Sequence, residues 1–409
     1  MWHAWPFPMG AHDEACPPGR NVDGTGDARP DADELRPAAP LVVREGRVLA
    51  YRLLDVADEI DLAAAQGIVR PAATRRGAST REAELSLVIS APPLQVPLDS
   101  YVVNLARSGA RMEARVSARL FEYGAVSVCF DFAIAPGTEL GGLVAICDEL
   151  YESSALDESA RVLVTPLLDR LAQAIRQRHD WEGIETYTVV FIQHLEGHPL
   201  ASDILQSPTL VSLVVGEPSS RRLAIGQQQD VLEHAHSYFE DDLVVVDWNS
   251  AFVLEPSGSR DLPDILEFAT SQLLELRYYD GLFDSELARV HRQFSRARHA
   301  PFPLRLRNPW VQLSNDVVRR LLELTEFTER VDNALKVIGD FYLARVYESA
   351  VRRFRIRAWQ SSIDAKQALL AQAYELVRGE IDTRISTVLE LVIIILILLE
   401  VALAIFFRR

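Results

Sequence analysis

Cysteine and lysine are scarce in this chain of 409 residues. The three cysteines, Cys16, Cys129 and Cys147, are widely spaced and form no C-x-x-C pair. This pattern excludes a disulfide framework and a zinc ribbon, and it favours a reducing compartment. Lysine occurs only at Lys336 and Lys366, so almost all of the positive charge is carried by arginine.

The common motifs for phosphate binding and nucleophilic catalysis are also absent. The chain contains no G-x-x-x-x-G-K-[ST], no G-x-S-x-G, no H-E-x-x-H, and no G-x-G-x-x-G after a predicted strand. The sequence therefore indicates no cofactor and no small-molecule substrate. The formal net charge of −16 argues against a surface that binds nucleic acid over its whole extent. Any contact with an anionic partner must be a local patch.

The chain is predicted to have four parts. Residues 1–40 are rich in proline and glycine and are predicted to be a disordered tail. An α/β domain is expected over 41–260, a helical stalk over 261–384, and a C-terminal transmembrane anchor over 385–409. The first 20 residues lack the basic start and unbroken apolar stretch of a secretory signal. The N-terminal bulk is therefore expected on the cytoplasmic side.

Two hairpins separated by helical patterns predict an α/β fold with a mainly antiparallel sheet. Arg115 to Phe121 and Ala125 to Ala133 flank a short loop that contains Gly124. Leu243 to Val246 and Ala251 to Leu254 flank a second loop. A further strand is predicted at Thr186 to Gln193. Helices are predicted at Leu140 to Tyr151, Ala160 to Arg178 and Gln228 to His236.

Long helices are predicted after Pro263, because few strong helix breakers follow Pro309. Ser361 stands three residues before Asp364, which resembles a capping box. A helical hairpin that turns near Trp359 to Ser362 is the predicted arrangement, and an unbroken rod is the alternative.

The segment from Val388 to Phe407 is predicted to span a membrane. Its twenty residues match the roughly 30 Å hydrocarbon core, and sixteen of them are Val, Leu, Ile or Phe. Glu390 and Glu400 interrupt the run and can lie on one face, which predicts self-association through that face. Arg408 and Arg409 follow the segment. A single-pass protein of a bacterial inner membrane is therefore expected, and a buried core helix is the alternative.

The C-terminal half resembles the "required for meiotic nuclear division" proteins, a family with a domain of unknown function. Three segments carry the resemblance: Leu273 to Asp280, Tyr342 to Tyr347, and Leu389-Glu390 with the apolar run up to Glu400. The resemblance implies a membrane-anchored oligomer without known enzymatic activity. An aromatic residue often follows the Leu-Glu pair in that family, whereas this chain has Leu391.

Four histidines form the one conceivable metal site in the sequence. His194 and His198 are four residues apart, and His234 and His236 are two residues apart. Imidazole nitrogens bind zinc, but a set without a cysteine partner more often consists of surface or capped histidines.

Arginine is concentrated in two basic clusters. No acid occurs between Glu286 and Asp316, so the first cluster carries a local charge of +6. Arginine beside aromatic residues can clamp phosphates and stack on bases, which makes RNA or a ribonucleoprotein a candidate partner. An exposed helix face paired with the chain's own acids is the alternative. The first cluster comprises Arg289, Arg292, Arg296, Arg298, Arg305 and Arg307, and the second comprises Arg352, Arg353, Arg355 and Arg357.

The sequence thus predicts a non-enzymatic, tail-anchored and self-associating scaffold. It would hold a partner near a membrane and so raise the local concentration of that partner, and the arginine clusters would dock an anionic partner such as a ribonucleoprotein. The alternative is a metal-dependent, hydrolase-like enzyme with a site at the four histidines of the head.

Overall fold

A large β-sheet organises the chain in the computed structural model, which describes residues 40–69, 74–75, 92–179, 181, 183–217, 223–298 and 341–407. The predicted disordered tail therefore lies almost wholly outside the described residues. The strands are β1 (Val42–Asp55), β2 (Ala57–Ile60), β3 (Thr74–Arg75), β4 (Leu94–Pro97), β5 (Tyr101–Asn104), β6 (Arg111–Leu120), β7 (Ala125–Ala133), β8 (Thr138–Glu139), β9 (Ile175–Arg178), β10 (Glu185–Leu195), β11 (Ala235–His236), β12 (Leu243–Val246) and β13 (Ser250–Leu254). The helices are α1 (Leu62–Val69), α2 (Leu140–Tyr151), α3 (Ser154–Arg170), α4 (Ala201–Leu205), α5 (Pro208–Val215), α6 (Ile225–Leu232), α7 (Asp261–Arg298), α8 (Phe341–Arg353) and α9 (Ile356–Phe407).

The main sheet has the strand order β11-β12-β13-β10-β1-β7-β6-β4-β3, with β5 added beside β6 and β8 beside β1. The pairing of β10 with β13 is parallel, and the other described pairs are antiparallel. β2 and β9 form a separate two-stranded sheet. The prediction of a mixed α/β head with a mainly antiparallel sheet is therefore confirmed.

Each face of the sheet carries an apolar core. Successive side chains of a strand point to opposite faces, so Leu49 and Leu53 of β1 face one core whereas Val48 and Ala50 face the other. Helices α1 to α6 cover the core that contains Val48. Helices α7, α8 and α9 cover the core that contains Leu49. The sheet is thus the middle of three layers.

Both predicted hairpins are present. The pairing of β6 with β7 begins beside the loop, where Leu120 is opposite Val126. Gly124 in this loop has φ +98°. An ideal Cβ at Gly124 would lie 1.6 Å from the carbonyl oxygen of Ala57. Glycine is required there for both reasons. β12 and β13 form the second hairpin.

The predicted helices of the α/β domain differ from the observed helices mainly at their C-terminal ends. The predicted helix at 140–151 is present as α2. The predicted helix at 160–178 is too long, because α3 ends at Arg170 and β9 pairs with β2. The predicted helix at 228–236 likewise stops early, and its last two residues form β11. Pairing with distant strands overrides the local helical pattern in both places.

The C-terminal helices turn earlier than predicted. Arg355 has φ +55° and separates α8 from α9, whereas Trp359 and Ser362 lie inside α9. The Ser362 hydroxyl donates to Asp280 Oδ1 at 2.9 Å and so holds α9 against α7. Ser361, which was predicted to start a helix in a capping box, lies inside α9 and does not start one.

The prediction of a membrane span at Val388 to Phe407 is wrong. Within the described residues, no helix combines the length and the apolar character needed to cross a bilayer. The longest uninterrupted apolar run lies between Glu390 and Glu400 and has nine residues. At 1.5 Å per residue it covers about 14 Å, less than half of a hydrocarbon core of about 30 Å. The tail anchor, the membrane partner and the single-pass location that rested on this span are corrected with it.

Glu390 and Glu400 are both exposed on α9. The membrane role predicted for them depended on the span. Arg408 and Arg409 lie outside the described residues.

Candidate functional site

A polar cavity lies on the face of the sheet that α7 covers, where the apolar core gives way to charged side chains. Its volume is about 360 Å³. The cavity is lined by Arg47 and Tyr51 of β1, Gln95 and Pro97 of β4, Arg115, Val116, Ser117 and Arg119 of β6, Cys129 and Asp131 of β7, and Arg260 and Glu267 at the start of α7.

Strand register brings these side chains together. Arg115 is paired with Asp131, Ser117 with Cys129, and Arg119 with Ser127 across β6 and β7. Residues opposite each other in an antiparallel pair point to the same face and have neighbouring side chains. The alternating positions of β6 therefore place two arginines at the two ends of the cavity and a serine between them.

Arg119 is the buried cation at one end. Its Nη2 donates to Asp264 Oδ1 at 2.7 Å, and its Nη1 donates to Glu267 Oε2 at 2.6 Å. Burial lowers the pKa of Arg119, but the charges of Asp264 and Glu267 outweigh burial and raise the pKa. Burial also raises the pKa of Glu267, although Arg119 opposes this effect. The charge of Arg119 is thus balanced within the protein.

Asp131 holds two further arginines at the opposite end. It accepts a hydrogen bond from Arg47 Nε through Oδ1, and Oδ2 lies 3.3 Å from Arg260 Nη1. Burial lowers the pKa of Arg260, but nearby groups, led by Tyr51, raise it overall. Two guanidinium groups are therefore already arranged around one oxyanion, the carboxylate of Asp131.

Two polar side chains in the cavity have no partner among the described residues. Arg115 is exposed and forms no ion pair or hydrogen bond with another described residue. Tyr51 is only 2% exposed, yet its hydroxyl makes no hydrogen bond to another described residue. Burial raises the pKa of Tyr51, so its hydroxyl stays protonated and can donate. Both groups are available to a ligand in the cavity.

The cysteine of the cavity is not an activated nucleophile. Burial raises the pKa of Cys129 well above its ordinary value, and Glu267 raises it further. The thiolate, which is the reactive form, is therefore disfavoured. The arrangement is suited to binding an oxyanion, because guanidinium groups dominate the cavity and its two carboxylates are held in ion pairs.

The structure does not bring the two histidine pairs together. The rings of His194 and His198 lie 6.3 Å apart at the end of β10, while His236 lies in β11 with its Nε2 2.6 Å from the Ser349 hydroxyl. β12 and β13 separate the two strands, a distance of about 14 Å at normal strand spacing. Burial lowers the pKa of His234 and His236, and nearby arginines lower it further. In the described part of the chain, no cluster of three metal-ligating residues is present.

The predicted arginine clusters are partly used inside the protein. Arg289 pairs with Glu286 at 2.7 Å, and Arg357 pairs with Glu348 at 2.7 Å. Arg353 forms two ion pairs, with Asp230 at 2.6 Å and with Asp247 at 2.5 Å. Among the described members, Arg292, Arg352, Arg355 and Arg357 are exposed. Arg296 and Arg298 lie in α7, but the structure does not describe their side chains. Arg305 and Arg307 lie outside the described residues.

The segment from Leu273 to Asp280 contacts both the sheet domain and the last helix. Tyr278 stacks on His179 with ring centroids 4.6 Å apart. Asp280 pairs with Lys366 of α9 at 2.7 Å. Arg277 donates to Glu185 of β10 at 2.6 Å. The contacts of these residues are therefore structural.

Sequence reasoning missed the cavity arginines. Arg115, Ser117 and Arg119 alternate with apolar residues on a strand that was predicted. Polar side chains on one face of a central strand are an available signal for a polar site. The carboxylates that complete the site come from β7 and α7, and no local pattern connects them to β6.

The fold and the cavity define a three-layer α/β protein with an arginine-lined pocket. The family model described as "Uncharacterized protein MJ0711, N-terminal domain" matches residues 45–260, and the chain belongs to this family. The chain is 27% identical over 176 residues to "Uncharacterized protein MJ0711" of Methanocaldococcus jannaschii. That match covers 43% of this chain and 52% of the relative, so it spans about half the length of the relative.

No solved structure matches the chain. The resemblance to the "required for meiotic nuclear division" proteins stays a prediction. The matched region 45–260 includes every arginine of the cavity.

Proposed function

We propose that this protein binds a small anionic ligand in the arginine-lined cavity and acts as a binding protein. Arg115 carries the proposal, because its guanidinium reaches the cavity and has no acidic partner among the described residues. The sequence alone indicated no small-molecule substrate, so this proposal depends on the cavity.

The charge balance of the cavity supports this proposal. Four arginines and two carboxylates line it, and Asp264 supplies a third carboxylate through its ion pair with Arg119, so the site carries one more positive than negative charge. The whole chain has a formal charge of −16. A positive cavity in an acidic protein attracts anions at one place, and arginine binds carboxylate and phosphate groups through two parallel hydrogen bonds.

The docking of a ribonucleoprotein through the two arginine clusters has less support. Arg353 is committed to Asp230 and Asp247, and Arg289 and Arg357 also have acidic partners. The charges of these three arginines are already balanced by acids of the protein, which leaves less positive charge for a phosphate backbone. Tethering of an anionic partner by these clusters stays a prediction.

Calorimetric titration with anions tests the proposal. The chain of 409 residues is titrated with inorganic phosphate and with succinate at low salt, beside an Arg115→Gln variant. Loss of one charge-assisted interaction is expected to weaken binding about tenfold or more. Arg111→Gln is the matched control, because Arg111 is an exposed arginine of the same strand that does not line the cavity. The control is expected to bind like the parent.

Two results would contradict the proposal. One is the absence of binding to either anion, and the other is equal weakening by the two substitutions.

A further inference from the structure

We propose that the ligand is a small phosphomonoester with a hydroxylated body, its phosphate held at the Arg115 end of the cavity. This inference rests on the proposed function and names the chemical class of the ligand.

The charges at the Arg115 end fit a dianion. Arg47, Arg115 and Arg260 lie around the single carboxylate of Asp131, which leaves two positive charges without a counterpart there. A phosphomonoester carries about −1.5 to −2 charges near neutral pH, whereas one carboxylate carries a single charge. The phosphate group therefore balances this end of the cavity more completely.

The opposite end does not need a second anion. Arg119 has two acidic partners there, Asp264 and Glu267. A second negative group at this end would meet two carboxylates. The ligand is consequently charged at one end only.

The middle of the cavity carries neutral polar groups. Ser117 accepts a hydrogen bond from Gln95 Nε2 at 3.2 Å, which leaves the serine hydroxyl hydrogen available. The Tyr51 hydroxyl is a further donor without a partner among the described residues. Hydroxyl groups of a ligand can accept from these donors and donate to the amide oxygen of Gln95.

The size of the cavity limits the ligand. A volume of about 360 Å³ lies at the lower end of the range for ligand pockets. Arg115 and Arg119 are four residues apart on β6, which corresponds to about 13 Å along an extended strand. A phosphate with a body of a few carbons fits between the Arg115 and Arg119 ends.

Three probes separate the head group from the body in calorimetric titrations at pH 7.5. Glycerol 3-phosphate has both features, methyl phosphate lacks the hydroxyls, and glycerate replaces the phosphate with a carboxylate. We expect glycerol 3-phosphate to bind most tightly and glycerate to bind at least about tenfold more weakly, because one charge-assisted contact is lost. Glycerate that binds as tightly as glycerol 3-phosphate would overturn the phosphate assignment and leave anion binding intact. If none of the three probes binds and inorganic phosphate and succinate also fail, the inference and the proposed function both fall.

Variants locate the two parts of the ligand. Asp131→Asn removes the carboxylate that occupies Arg47 and Arg260, so we expect it to bind methyl phosphate several-fold more tightly. Misfolding cannot produce such a gain. Ser117→Ala is expected to reduce the advantage of glycerol 3-phosphate over methyl phosphate, and Arg111→Gln is expected to change neither probe.

Weaker binding of methyl phosphate to Asp131→Asn would contradict the position of the phosphate. Equal binding of glycerol 3-phosphate and methyl phosphate to the parent protein would contradict the hydroxylated body.

Discussion

Among the residues that the structure describes, the largest fully buried side chain is a charged one, Arg52 of β1. Its Nε donates to Asp157 at 2.6 Å, and its Nη2 donates to the carbonyl oxygens of Leu150 and Tyr151 at 2.6 and 3.2 Å. The last carbonyls of a helix lack partners within the helix, so this guanidinium caps the C-terminus of α2. Burial lowers the pKa of Arg52, and Asp157 opposes that effect. Four hydrogen bonds from the guanidinium group, including one to the carbonyl oxygen of Tyr51, stabilise this buried charge.

Replacing Arg52 tests this capping role. Arg52→Met keeps much of the volume but removes the donors, so Asp157 loses its cation and two buried carbonyls lose their partner. We expect the free energy of unfolding to fall by about 3 kcal/mol. Urea denaturation measures it, with Arg44→Met as the control, because Arg44 is an exposed arginine of the same strand. Equal effects of the two substitutions would show that the cap is not needed.

At the scale of elements, one arginine links α8 to α6 and to the turn between β12 and β13. Arg353 lies in the last turn of α8, and its two ion pairs reach Asp230 of α6 and Asp247 in the turn between β12 and β13. Asp247 also supplies a backbone acceptor for the Tyr187 hydroxyl at 3.0 Å. The chain then turns at Arg355 into α9. The arginine thus fixes the helix just before the break.

Substitution of Arg353 is expected to loosen α8. Asp247 has a side chain that is 2% exposed, and in Arg353→Met it would be left with no cation. Buried charges without a partner destabilise the fold by roughly 2 to 4 kcal/mol. We expect faster amide hydrogen exchange in α8 and around Asp247.

The neighbouring substitution Arg352→Met supplies the control, because Arg352 is exposed. Unchanged exchange in Arg353→Met would contradict the anchoring role.

Local patterns predicted individual elements well and the assembled site poorly. The β6 and β7 hairpin could be predicted because alternation and Gly124 act over a few residues. The cavity could not, since Arg119 and its partner Glu267 are 148 residues apart in the chain. The prediction of a membrane span was wrong because it gave more weight to the overall apolar content of 388–407 than to the two glutamates that divide the apolar run. Alternation in the sequence predicts which residues of a strand share a face. It does not predict the register between strands, which brings the side chains of the site together.

At the scale of the whole molecule, the family region and the C-terminal helices share a core. Leu49, Val189 and Phe191 of the sheet pack against α7, α8 and α9. The region 45–260 matched by the family model therefore contains only one side of this core. The predicted domain boundary at residue 260 can be tested by exposing the face of the sheet that α7, α8 and α9 cover.

A fragment of residues 40–260 is expected to expose that face. We expect it to aggregate or to bind a hydrophobic dye strongly, because the apolar residues opposite α7 would meet water. A fragment of residues 40–375 keeps the helices up to Leu370, the last buried residue of this core, and is the control. Cooperative thermal unfolding of the shorter fragment without dye binding would mean that the α/β domain is independent of the helices.

The central position of β1 has a consequence for synthesis on the ribosome. β1 is paired on one edge with β7 and on the other with β10. The residues of β7 emerge from the ribosome long before those of β10, so one edge of β1 stays unpaired while residues 134–184 are made. Strand pairing between such distant segments is slow, and open strand edges are templates for aggregation. The nascent chain is therefore most in need of protection during that interval, before any part of α7 has been translated.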